Sequence, residues 1–176
     1  DKLFQRVKAV YESDQSAIEP EGQKLIQEYY DAFVRAGANL SAEDKAKLME
    51  LNKEEASLTT EFGNKLIAAT NAAAVIVGSK DSLDGLSETE IAKAASDAKA
   101  AGHEGKYLLN ITNTTQQDYL SVLNDRTIRQ RVLEASIHRT DKGDANDTQS
   151  IVLRLARLRA QKARLLGFPN YAAWKL

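Results

Sequence analysis

Along most of the chain, apolar residues recur every three or four positions, the period of an amphipathic helix. Leu3, Phe4, Val7, Val10 and Tyr11 share one face and predict a helix near residue 1. Pro20 stands where the first turn of a helix accepts a residue without an amide hydrogen. Leu25, Ile26, Tyr29, Tyr30, Phe33 and Val34 give the next helix its stripe, with the two tyrosines expected in the core and at its edge, and Gly37 supplies a left-handed stop. Ser41 with Asp44 reads as a capping box in which Asp replaces the usual Glu. Leu48, Leu51, Leu58, Phe62 and Leu66 then recur to about Asn71, a helix of roughly 45 Å.

The period changes twice. Ala74-Val75-Ile76-Val77, ended by Gly78, and Tyr107-Leu108-Leu109-Asn110-Ile111 are short β-branched or aliphatic runs and predict strands. Antiparallel pairing between Val75–Val77 and Tyr107–Ile111 is the expectation, on the greater frequency of antiparallel pairs. Between them, Ser79–Leu86 reads as loop, and Ser87 with Glu90 is a capping box opening a helix through Ile91, Ala94, Ala95 and Ala98 to Gly102. Beyond the second run, Thr115 and Asp118 are candidate caps for a short helix carrying Leu120 and Leu123. Asp125 caps the next, with Ile128, Val132, Leu133 and Ile137 inward and a break near Gly143. Asn146-Asp147-Thr148 opens a long helix through Ile151, Val152, Leu155, Leu158 and Leu165 to Gly167, and a last helix begins at Tyr171-Ala172-Ala173-Trp174. The fold class expected is mainly α, a multi-helix body with one small two-stranded β ribbon.

Composition narrows the chemistry. Cysteine is absent, which excludes disulfides, a thiolate nucleophile and Cys-ligated metal. No apolar run approaches the length of a membrane span, so no membrane partner is expected. Net charge is only −1, yet residues 1–125 carry −8 and residues 126–176 carry +7. A basic third can mark a nucleic-acid surface, but no aromatics interleave with these arginines for base stacking, so no nucleic-acid partner is expected. The expected use of the asymmetry is internal, an acidic half packed against a basic one. Acidic pairs such as Glu54-Glu55 and Glu19/Glu21 are expected on solvated faces.

Two histidines stand 35 positions apart. His103-Glu104 begins like the His-Glu-x-x-His helix of zinc peptidases, but position 107 is Tyr, and Gly102 and Gly105 make the segment a turn. His138 lies near a helix end, where its partial charge suits the dipole. There is no glycine-rich phosphate loop and no Gly-x-Ser-x-Gly elbow. Read this way, the residues nominate no catalytic, cofactor-binding or metal site.

Several ordered phrases carry a resemblance. They are Phe33-Val34-Arg35-Ala36-Gly37-Ala38, Leu51-Asn52-Lys53-Glu54, Leu58-Thr59, Asn113-Thr114-Thr115-Gln116-Gln117, Asn146-Asp147-Thr148, Leu158-Arg159-Ala160, and Leu165 through Lys175. Together they resemble the bacterial peptidyl-dipeptidases (dipeptidyl carboxypeptidases) of the thimet oligopeptidase–neurolysin class, over essentially the whole chain. An oligopeptidase-A-like endopeptidase is the nearest rival, and a free-standing helical interaction module the alternative outside the class. The resemblance implies a long, nearly all-helical cytoplasmic enzyme whose zinc, held by His-Glu-x-x-His and a downstream Glu, removes C-terminal dipeptides from short peptide substrates. No position here matches that ligand set, so none is carried over. Residues 1–176 are accordingly expected to be a single helical fragment, truncated at both ends and preceding the catalytic motif. Such a fragment contributes scaffold and channel wall, binds no zinc and hydrolyses nothing by itself. Its partners are the missing catalytic half and, through an uncovered patch near Tyr171 and Trp174, other copies of itself.

Within the last long helix, Ile151, Val152, Leu155, Leu158, Leu165 and Leu166 form one apolar arc. Arg154, Arg157 and Arg164 fall opposite, as solvated charges. Arg159 lies inside the arc and is expected to meet a carboxylate of a neighbouring helix, whereas Lys162, near the arc's end, is expected to reach solvent.

Overall fold

The computed structural model describes residues 2–112, 114 and 117–176. In chain order they form α1 (Lys2–Tyr11), α2 (Pro20–Arg35), α3 (Ala42–Ala72), β1 (Val75–Val77), α4 (Glu88–Ala100), β2 (Tyr107–Leu109), α5 (Tyr119–Val122), α6 (Arg126–Ile137), α7 (Gln149–Leu165) and α8 (Tyr171–Lys175). The chain divides into two compact units, one made of residues up to Leu58 together with Leu153–Leu176, the other of Thr59–Val152. The expected fold class holds: mainly α, with one small two-stranded ribbon.

In the first unit α1 lies against α2 through stacked rings. Phe4, almost fully buried, meets Tyr30 and Phe33 at 6.1 and 5.7 Å between centroids, and Tyr11 stacks on Tyr30 at 3.9 Å. Gly37 ends α2 at φ +93°, a left-handed conformation that favours glycine. Ser41 starts α3 by accepting from the Asp44 amide at 3.1 Å. Asp44 does not complete the box as a Glu would; its shorter carboxylate takes the Ser41 hydroxyl at 3.0 Å. The α2 stripe is narrower than its periodicity predicts. Leu25 and Tyr29 are 57% and 58% exposed, lining an open apolar groove with Val7 and Val10 of α1.

The second unit has a continuous apolar interior of Ala73, Val75, Val77, Leu83, Ile91, Ala94, Leu109, Ile111, Leu123, Ile128 and Val132. β1 and β2 pair antiparallel in the register Val75↔Leu109, Ile76↔Leu108 and Val77↔Tyr107, so the second strand stops two residues before Ile111. The capping box of α4 is complete: Ser87 accepts from the Glu90 amide and Glu90 from the Ser87 amide at 2.8 Å. Asp125 caps α6 through the Thr127 and Ile128 amides.

Three expectations need correction in this unit. Ser79–Leu86 is not all loop, since Lys80–Leu83 form a 3-10 turn that buries Leu83 completely. Leu133 and Ile137 face outward with Val152, because α6 and α7 bury narrower faces than their apolar residues span. Asp118 precedes α5 without a side-chain cap, and the expected cap at Thr115 lies outside the described residues, as do Asn113 and Gln116. Beside them, Gln117 is buried and bonds the Thr112 and Thr114 carbonyls at 3.2 and 2.7 Å and the Ser136 hydroxyl at 3.1 Å.

Candidate functional site

The densest chemistry lies where α3 faces α7 in the first unit. Glu54 and Glu55 are neighbours on α3, about 100° apart around the axis, so they reach different partners. Arg154 grips Glu54 bidentately, Nε to Oε1 at 2.6 Å and Nη2 to Oε2 at 2.7 Å. Glu55 accepts from Arg159 Nε at 2.9 Å and from Lys162 Nζ at 2.6 Å, one oxygen each. The acidic and basic parts of the sequence meet here, as the charge asymmetry predicts, and Arg159 finds its carboxylate.

The same geometry overturns three expectations. Glu54 and Glu55 are not solvated faces but the acceptors of this network. Arg154 is paired and only partly exposed. Lys162, expected in solvent, is the most buried of the charges, with 9% of its side chain exposed against 40% for Arg159. Lys162 faces the interior beside Leu158 and Ala163, both fully buried, and Arg159 lies further round the helix where its stem reaches the rim.

α8 closes over the end of this network. Asn170 caps it by accepting from the Ala173 amide at 2.9 Å. Tyr171 and Trp174 meet edge to face at 5.6 Å. The Arg159 guanidinium lies 5.4 Å from the Tyr171 ring centre, and the Lys162 and Lys175 ammonium groups lie 5.3 and 4.0 Å from that of Trp174. The indole N–H donates to the Arg35 carbonyl at 3.0 Å. Trp174 and Tyr171 are therefore half-buried anchors of α8, not the uncovered patch expected of them. Large apolar side chains of this unit that do face outward include Leu25, Tyr29 and Met49.

Two grooves border the network. A shallow one of about 930 Å³ runs along α3 past Glu43, Lys47, Glu50, Glu54, Gln161 and Leu165. A smaller one of about 460 Å³ is lined by Ala32, Arg35, Ala36, Leu48, Asn52, Lys162, Leu166, Trp174 and Lys175. In the larger groove Glu43 is paired with Lys47 and Glu54 with Arg154. The Arg154 hydrogen bond holds Glu54 below its ordinary pKa. Burial pushes Glu55 up, but the bonds from Lys162 and Arg159 together outweigh it and hold this carboxyl low as well. Both are anions near neutral pH, so neither donates a proton there.

The histidines sit apart from this network in the sequence and in the second unit. His103 lies in the exposed turn after α4, its amide bonded to the Ala98 carbonyl at 2.8 Å, and Tyr107 begins β2, so no helix joins the two. His138 caps the C-terminus of α6 and meets Asp141 at 2.9 Å. Among the described residues no three of His, Asp and Glu converge as a group that could hold a metal ion. Sequence reasoning missed the part of Lys162 and Glu55, since nothing in the spacing says which face of α3 meets α7.

No protein-family model matches the chain. It is, however, 44% identical over 176 residues to the dipeptidyl carboxypeptidase of Escherichia coli K12, covering 99% of this chain and 26% of that enzyme. The dipeptidyl carboxypeptidase of Salmonella typhimurium is also 44% identical, over 175 residues, with the same coverage. The organellar oligopeptidase A of Arabidopsis thaliana is 28% identical over 177 residues, 97% of this chain and 22% of that protein. By sequence, then, the chain is similar to the dipeptidyl carboxypeptidase and oligopeptidase A class of peptidases that its phrases resemble. Within that class its stronger likeness is to dipeptidyl carboxypeptidase, and it spans about a quarter of the length of the curated relatives it matches.

Proposed function

We propose that residues 1–176 form a scaffold and channel-wall segment of a cytoplasmic zinc peptidyl-dipeptidase that releases C-terminal dipeptides from short peptides, with the catalytic zinc site in another part of the polypeptide. The observation that carries this reading is the 44% identity to dipeptidyl carboxypeptidase from one end of the chain to the other. The ion-paired α3–α7 face supports a scaffold role, because its carboxylates are committed to cations. Zinc, when bound by the whole enzyme, would polarise the scissile carbonyl and activate water. This segment would hold the wall in place.

The test compares two polypeptides, the 176-residue chain and a longer one that carries it, each with added zinc. Substrates are N-blocked tetrapeptides with a free or an amidated C-terminus. The longer polypeptide is expected to release dipeptides from the free-carboxyl substrate alone, and the short chain to release none. Dipeptide release by the short chain would overturn the proposal, and equal cleavage of the amidated peptide would transfer it to an oligopeptidase-A-like endopeptidase.

A further inference from the structure

We infer that the smaller groove, walled by α2, α3, α7 and α8, is a binding site for a small organic carboxylate with an apolar body. Its lining brings together three cations from three helices: Arg35 from α2, Lys162 from α7 and Lys175 from α8. No acidic residue lines it. The nearest carboxylate in the network, Glu55, is shared by Arg159 and Lys162, so one anion answers two cations. Among the described residues neither Arg35 nor Lys175 has a carboxylate within 4 Å. The Asn52 amide borders the same space with no protein partner among the described residues, and so offers a donor.

A purely structural account would have these cations offset the carbonyl ends of α2 and α7. Most of those carbonyls are already engaged. Val34 and Phe33 accept from the Gly37 and Ala38 amides, and Lys162, Ala163 and Arg164 accept from Leu166, Phe168 and Gly167. The Arg35 carbonyl takes the Trp174 indole at 3.0 Å. Lys162 is held by Glu55, so the positive charge left to a ligand is that of Arg35 and Lys175. The rest of the lining is apolar: Ala32, Ala36, Leu48, Leu166 and the ring of Trp174, held in place by its own N–H. A volume of about 460 Å³ suits a ligand of one or two residues' size, with its carboxylate on Lys175 and Arg35 and its body along Leu48 and Trp174.

Trp174 is the only tryptophan of the chain, so its emission reports on this groove alone. The experiment titrates the 176-residue chain with 3-phenylpropionate at constant ionic strength, exciting the indole selectively. A saturable change with a midpoint on the order of millimolar is expected for a ligand this small. The neutral isostere 3-phenylpropanamide is expected to bind at least tenfold more weakly, as is the acid to Lys175→Gln or Arg35→Gln. Lys106→Gln, in the second unit, is expected to match the parent, and far-UV circular dichroism verifies that each variant folds. An N-acetyl dipeptide acid forms a further arm. Tighter binding than the simple acid identifies a peptide terminus as the source of the carboxylate, and weaker binding a free acid. Equal binding of the amide, unaltered affinity in both Gln variants, or a linear response that sodium chloride reproduces would each overturn the assignment.

Discussion

In Thr59–Val152 the fully buried side chains include Val77, Leu83, Leu109 and Val132, whose cluster is apolar, and the buried polar groups, Gln117, Ser136 and Thr148, are uncharged. In the other unit the buried set includes an ammonium group, Lys162, beside Leu158 and Ala163, and the neighbouring helices are joined by Glu54, Glu55, Arg154 and Arg159. Burial of apolar area is indifferent to pH and nearly so to salt, whereas a shared carboxylate depends on both. One chain thus holds two units with the same helical vocabulary and different sensitivities. The difference is one of kind, because removing Glu55 leaves a desolvated cation, while removing a leucine leaves a void.

The comparison is most severely tested on the hydrocarbon side. Leu109→Ala, at a fully buried site in β2, is expected to lower the unfolding free energy by about 3–4 kcal/mol, measured by urea denaturation followed by circular dichroism. In the first unit, Glu55→Ala is expected to cost about 2–3 kcal/mol, less than breaking a fully buried pair because Arg159 remains partly hydrated. Adding Lys162→Met to Glu55→Ala should recover most of that loss. If the double variant is no more stable than the single one, Lys162 is not the residue left stranded. The smallest effect is that of acid. Glu55 has a folded pKa below its ordinary value, so its contribution is complete above the unfolded pKa of about 4.3 and fades as pH falls through the folded value. Trp174 emission is therefore expected to report loosening of the first unit below about pH 4. Glu55→Gln is expected to flatten that dependence. An unchanged acid profile in this variant would show that another carboxylate controls it.

Much of this architecture is written locally. Gly37, the Ser87/Glu90 box and Asp125 each mark a helix end through bonds made within four residues, and Pro20 marks one by lacking an amide hydrogen, so sequence alone discloses them. The ribbon was legible for a similar reason, since its two runs break the helical period and nothing else nearby can pair with them. Which apolar residues are buried was less so. Leu25, Tyr29, Leu133, Ile137 and Val152 obey the period yet face outward, because periodicity defines a face and only the neighbouring helix decides its width. The α3–α7 network was half visible. Arg159's place inside an apolar arc forecast a carboxylate partner, but the helical wheel put Lys162 at the arc's margin and said nothing of what packs there. Leu83 shows the converse: a polar, glycine-containing stretch hid a fully buried side chain within a single 3-10 turn.

The register of the ribbon also bears on how the second unit assembles in time. Val77 and Tyr107 face each other across a connection that contains the whole of α4. Bringing them together closes a ring of about thirty residues, an entropic toll that neither three-residue strand repays alone. α4 has no such debt, since its capping box draws on residues three apart and its formation is a sub-microsecond event. Local nucleation at Ser87 is therefore expected to precede pairing, and the formed helix to shorten the effective gap the strands must bridge. β1 and β2 are expected to pair afterwards, on the surface that Ile91 and Ala94 share with them in the folded unit. Distant links of this kind, here and where Arg131 of α6 donates to the Ile76 carbonyl of β1, raise the contact order of the unit and are expected to slow its folding.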